Sequence, residues 1–321
     1  MRTTVTAGRP GRHRTSGPSA RVALCALIAV AGSVFACGGG GPRALIVYEA
    51  ARGETVNVYT IDPSSGATTQ ITHGTKFDGN TAWSLDRRRI IFVSNRDGQA
   101  QTDIYTMDRS GGDARPLTDT PDAGEYSPRY SPDGKTVAYV RQSTDGWTVW
   151  RMDADGTHQR QLAGPYSFAE FPSWTRDGRE VYFSAIEKDE GTGQAYGNAH
   201  IYSVDVATLQ VRVRIATKGP DVCPHFSRDG TRLTYAAPGP SGKLNIFAHN
   251  MSDPDTSGAH DVALTTTDAR DDYANASPDD RTMVFISDRD GNPDLYLMDR
   301  DGSHQRRLSD TPDLRENVPD W

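Results

Sequence analysis

Five times in this chain a short hydroxyl-x-Asp turn follows one anchor residue, aromatic in four cases. The turns are Trp83-Ser84-Leu85-Asp86, Tyr130-Ser131-Pro132-Asp133-Gly134, Trp174-Thr175-Arg176-Asp177-Gly178, Phe226-Ser227-Arg228-Asp229-Gly230 and Ala276-Ser277-Pro278-Asp279-Asp280. The last residue, Trp321, stands where a sixth would begin, and the six anchors are spaced by 47, 44, 52, 50 and 45 residues. Behind each turn comes a β-branched or apolar run: Ile90–Val93, Val137–Val140, Val181–Phe183, Leu233–Tyr235 and Met283–Ile286. An apolar–aromatic pair follows it: Ile104-Tyr105, Val149-Trp150, Ile201-Tyr202, Ile246-Phe247 and Leu295-Tyr296. Such runs between Gly, Pro and Asp clusters predict short strands, and no long 3.6-residue period appears after the first 43 residues.

Units of about 40–50 residues with four strands each predict a β-propeller. The segment before the first anchor, with Leu45–Tyr48, Val58–Ile61 and Gln70–Thr72, reads as a unit without its first strand. Glu316–Trp321 reads as a first strand without its unit. Pairing the two ends removes both exposed sheet edges. The expectation is therefore all-β: residues 44–321 as one six-bladed propeller of four-stranded blades, closed by the C-terminal strand on the N-terminal ones. In the Ser-Pro-Asp-Gly form of the turn Pro presets φ, Asp accepts an amide hydrogen bond downstream, and Gly supplies a positive φ. Two units depart from this: Arg87 and Asp280 occupy the Gly slot, and Ala276 takes an aromatic one.

Residues 1–21 are basic and free of acids, Val22–Phe35 is apolar, and Ala36-Cys37 precedes four glycines. That is a secretory signal over residues 1–36, whose 14 apolar residues are short for a spanning helix of about 20. Val34-Phe35-Ala36-Cys37 resembles the bacterial lipobox, departing from it at Val34 and Phe35. The resemblance implies lipidation of Cys37, a linker over 37–43 and anchoring to a membrane of the cell envelope. The alternatives are an ordinary signal cut after Ala36 and an uncleaved anchor. Without the five leader arginines, 30 basic face 42 acidic residues, a net of −12, which argues against a nucleic-acid surface. Cys25, Cys37 and Cys223 offer no disulfide framework.

The repeats resemble the TolB-like propeller unit. Ser94-Asn95-Arg96-Asp97-Gly98 with Ile104-Tyr105-Thr106-Met107-Asp108 and Leu117-Thr118 matches it closely, as does Ser287-Asp288-Arg289-Asp290-Gly291 with Leu295–Asp299 and Leu308-Ser309. The resemblance covers 44–321 and implies the fold. Function does not follow, because the unit serves periplasmic scaffolds, peptidase propellers and lyases alike. TolB itself carries an α/β domain before its propeller; here only the leader and linker precede Leu45.

Five residues before each anchor stand Asp78, Glu125, Ala169, Asp221, Asp271 and Glu316, and Glu170 follows the one exception. Symmetry predicts a ring of carboxylates at one channel mouth, attracting cations or a basic partner. Equally, each acid could cap the loop entering its strand. Asp288–Asp294 has the look of a calcium loop but lacks its bidentate Glu and reads as a hairpin turn. Among the histidines only His225 is placed to face the channel, and no G-x-S-x-G elbow occurs. No catalytic residue, metal or cofactor is expected. The reading is a monomeric, exported, lipid-anchored propeller that binds envelope proteins, without enzymatic activity. The alternative is a metal-dependent lyase-like or carbohydrate-binding propeller.

Overall fold

In the computed structural model, residues 44–321 are described except 75, 99, 100, 190 and 192, so the signal segment, Cys37 and the Gly-rich linker lie outside the described residues. Among the described residues, twenty-four strands form six antiparallel four-stranded sheets. Blades 1 to 5 have inner strands Asp78–Trp83, Gly124–Tyr130, Phe168–Trp174, Val222–Phe226 and Asp271–Ala276, each followed in order by its other three strands. Blade 6 takes its inner strand, Arg315–Asp320, from the C-terminus, and its others, Ile46–Arg52, Thr55–Ile61 and Thr68–Gln70, from the N-terminal side. The junction pairs Val47 with Asp320 and Ala50 with Glu316. The six-bladed propeller and its closure are as the repeat pattern predicts.

The second strand of each blade is buried on both faces, and its alternation decides which neighbour each residue meets. Ile90 and Phe92 pack with Val47 and Val58 of blade 6, whereas Ile91 and Val93 pack with Val137 and Tyr139 of blade 2. Six apolar clusters result, one at each blade interface. The anchors wedge into these seams. Trp83, Trp174 and Trp321 are buried, and their Nε1–H groups donate across the seam to Leu45 O (3.1 Å), Arg129 O (3.1 Å) and Ala44 O (2.9 Å).

The five turns after the anchors share one hydrogen-bond pattern. The hydroxyl of Ser84, Ser131, Thr175, Ser227 or Ser277 donates to the Asp two residues on, at 2.6–2.8 Å. The same oxygen accepts the amide that opens the next strand, at 3.0 or 3.1 Å. Arg87 (φ 57°) and Asp280 (φ 62°) adopt the left-handed conformation of the glycines they replace. The long insertion between Ala185 and His200 is not a free loop. Strands Glu180–Lys188 and Ala195–Asp205 run through it as an extended hairpin.

Candidate functional site: the arginine-lined mouth of the channel

The inner strands carry an irregularity that repeats six times. Three residues before each anchor, Asn80, Ser127, Phe171, Cys223, Tyr273 and Val318 have φ of 48°, 51°, 59°, 56°, 53° and 45°. In blades 1 to 5 the ladder slips at this point, for example between Gly79 and Ala82 and between Asp272 and Asn275; in blade 6 the slip is marked on the neighbouring strand, between Val47 and Glu49. A bulge of this kind inserts one residue and re-aims the side chains around it. Left-handed conformation costs roughly 1–2 kcal/mol at a residue other than Gly, so surrounding packing must hold it. Here the packing is across the ring. Phe171 of blade 3 meets Tyr273 of blade 5 edge-on at 5.2 Å, within an apolar cluster that includes Cys223 and Val318. Asn80 Oδ1 accepts the Ser127 amide at 3.2 Å on the other side. Together these side chains plug the axis.

The six carboxylates singled out from the sequence lie on one side of that plug. Five of them point into the blades rather than toward solvent, with exposures of 0–4%: Asp78, Glu125 and Asp271 reach an arginine of their own blade, whereas Asp221 and Glu316 reach back to the preceding one. Asp78 accepts from Ser94 Oγ (2.6 Å) and Arg96 (3.0 Å), and Glu125 from Arg141 Nε (2.8 Å) and Thr118 Oγ1 (3.0 Å). Asp221 binds Thr217 Oγ1 (2.7 Å) and His200 Nδ1 (2.9 Å), and Asp271 binds Thr267 Oγ1 (2.7 Å) and Arg289 (3.1 Å). Glu316 accepts from Thr311 Oγ1 (2.7 Å) and the Leu295 amide (2.9 Å). Burial raises the pKa of Glu125 to about 7, against the pull of Arg141, and raises Asp221 and Glu316 as well. These acids tie the start of each inner strand to its own blade or to the preceding one. Glu170 differs: it is half-buried near the plug, and burial, with the charge of Glu49 beside it, raises its pKa to about 7. An alternation counted straight back from the anchors misses the inserted residue and so mistakes which positions reach the axis.

On the other side of the plug opens a cavity of about 500 Å³. Its floor takes one residue from every blade, the one just before each anchor: Ala82, Arg129, Ser173, His225, Asn275 and Asp320. Its rim is built from the anchors and from the turns after them, including Arg87, Arg176 and Arg228. The Ser-x-Asp turns therefore frame this cavity, whereas the carboxylate ring was expected to place the binding mouth on the opposite face.

The lining is cationic. Arg129 donates to Thr81 O at 2.6 Å, Arg176 to Arg228 O at 3.2 Å, Arg228 to Trp321 O and Arg87 to Leu45 O. Each guanidinium is thus pinned by a backbone carbonyl, and among the described residues none of the four has a carboxylate partner. The cavity's one acid, Asp320, accepts from the Trp83 amide (2.7 Å) and Asn275 Nδ2 (2.9 Å). His225 Nδ1 is buried without a hydrogen-bond partner, and burial with the nearby charge of Arg129 lowers its pKa to about 3. His225 was expected at the channel and is there. The arginines were missed, although Arg176 and Arg228 stand visibly in the slot that Pro fills in Ser131-Pro132-Asp133 and Ser277-Pro278-Asp279.

Residues 40–196 match the family model of the TolB beta propeller domain. The chain is a TolB-like β-propeller protein. The crystal structure of TolB from Acinetobacter baumannii superposes with a TM-score of 0.72 at 19% identity, covering 88% of this chain and 68% of that one. Among curated sequences, the TolB-like propeller is 29% identical over 211 residues to the uncharacterized peptidase YuxL of Bacillus subtilis, covering 65% of this chain and 27% of YuxL. It is 31% identical over 143 residues to an uncharacterized protein of Agrobacterium fabrum, covering 41% of this chain and 48% of that protein. The chain thus spans a quarter to a half of the length of these two relatives.

Proposed function

We propose that this propeller is a binding module of the cell envelope that captures a partner protein in the arginine-lined mouth and carries out no chemistry there. The observation that carries this reading is the cavity with four pinned guanidiniums that have no carboxylate partner among the described residues. Arginine stays protonated at any physiological pH, so it recognises anions but neither takes up nor releases protons. His225, held neutral by burial, is no better placed for acid–base work at neutral pH. Export and tethering through Cys37 belong to the same proposal and are supported by the leader sequence. The partner's contact surface is then acidic, where the carboxylate ring had suggested a basic one.

The test is affinity capture from envelope extract with wild-type protein and with Arg176→Glu/Arg228→Glu. Wild type retains a specific protein, identified by mass spectrometry, and the variant loses it while melting at the same temperature. Equal retention by both removes the mouth from the reading. Fractionation of cells carrying Cys37→Ser checks the tether: the variant leaves the membrane fraction, and a wild-type protein already free of membranes overturns anchoring.

A further inference from the structure

The mouth is blind. Beneath its floor the axis is filled by Phe171, Cys223, Tyr273 and Val318, so nothing entering the cavity passes through the ring. A polypeptide bound there must enter by an end or fold back on itself. The deepest charged donor is Arg129, which the Thr81 carbonyl holds by one N–H of its five. Arg129 lies near enough to the axis for its charge to act on His225 of blade 4 and on Glu49 beneath the floor. The Glu49 carboxylate is already engaged by the Asn80 amide, and burial raises its pKa. On the rim, Arg176 and Arg228 are exposed, and Leu85, 60% exposed, stands beside Pro132 and Tyr130.

Accepting the mouth as the binding site, we infer that its ligand is the C-terminal end of a polypeptide, with the terminal carboxylate seated on Arg129 at the floor. The planar guanidinium presents paired N–H donors to a carboxylate, and such charge-assisted bonds are about twice as strong as neutral ones. The pinning carbonyl holds Arg129 in place before binding, which lowers the entropy lost on association. Preceding residues of the ligand then run outward past the rim, where acidic side chains meet Arg87, Arg176 and Arg228 and an apolar one covers Leu85. A cavity of about 500 Å³ lies within the usual range of ligand sites, roughly 300–1,000 Å³.

The experiment measures fluorescence anisotropy with a labelled Glu-Leu-Glu-Phe-Leu peptide carrying a free carboxyl end, with its C-terminal amide, and with a labelled oligogalacturonate as an acidic saccharide. The free-acid peptide binds about tenfold more tightly than the amide or better, and more weakly as salt rises. Arg129→Gln brings the two peptides to equal affinity, whereas Arg160→Glu on an exposed outer strand leaves the preference intact. Thermal melting verifies that each variant is folded; if Arg129→Gln is not, Arg129→Lys replaces it, with the preference reduced. Equal binding of acid and amide by wild type overturns the inference, as does a preference that survives Arg129→Gln, tighter binding of the saccharide, or no binding of any probe. If wild type still retains an envelope protein that Arg176→Glu/Arg228→Glu loses, the binding-module reading stands and only terminal recognition falls.

Discussion

At the scale of single residues, burial decides the fate of each carboxylate. Among the described residues none donates a hydrogen bond to the Glu170 carboxylate, and its pKa stands near 7 because burial and Glu49 both disfavour its charge. A raised carboxyl pKa means that the folded state binds more protons than the unfolded one between about pH 4.5 and 7. Stability from this group is therefore complete below the unfolded value and is lost as pH rises through 7. Glu170→Gln removes the effect, making the variant more stable than wild type at pH 8 by about 1–3 kcal/mol and close to it at pH 4.5. Urea unfolding of both proteins across that range measures the difference, and a difference that stays constant with pH refutes the assignment. Asp78, Glu125, Asp221, Asp271 and Glu316 belong to another class, because each has hydrogen-bond partners in its own or the preceding blade.

At the scale of the element, the inner strand with its bulge is the part that sequence reading resolves least. The second and third strands announce themselves as apolar runs, since Ile90–Val93 or Met283–Ile286 must be buried on both faces. The turns are equally legible because Ser, Asp and Gly each have a mechanical reason to be there. The bulge has no such signature: its six left-handed positions hold Asn, Ser, Phe, Cys, Tyr and Val. Of these only Asn is a residue that commonly tolerates positive φ. That is why the five-back carboxylates were read as facing a mouth, and why the true floor, one residue before each anchor, was not seen. The plug formed by these bulges makes its own prediction. Cys223 is 3% exposed and burial raises its thiol pKa, so it is inert to a thiol reagent in the native protein. Phe171→Ala with Tyr273→Ala opens the axis, and Cys223 then reacts faster by about tenfold or more while the propeller still melts cooperatively. An unchanged rate shows that these two rings do not close the axis.

At the scale of the whole molecule, closure rests on a single seam inside blade 6. The inner strand Arg315–Asp320 pairs with Ile46–Arg52, and Trp321 donates to Ala44 O. No other blade joins distant parts of the chain in one sheet. Deleting residues 315–321 uncovers the edge of Ile46–Arg52 and removes one wall of the mouth. Exposed edges of this kind promote association between chains. The truncated protein loses its cooperative melt and runs as aggregate in size-exclusion chromatography; a monodisperse protein of wild-type melting temperature disproves the dependence. This seam was legible in sequence because the chain begins its repeats out of phase and supplies the missing strand at its end.

The shared hydrogen-bond pattern of the Ser-x-Asp turns has a consequence for how such a surface changes. The hydroxyl, the aspartate and the left-handed residue each hold the turn together, but the x side chain accepts or donates no hydrogen bond within its own turn: it is Leu85, Pro132, Arg176, Arg228 and Pro278 in five turns of one geometry. Substitution at x therefore rewrites the rim one blade at a time without disturbing the frame. Five independently variable positions arranged in a circle amount to a dial that can be set for a new ligand, while the code for the propeller stays the same.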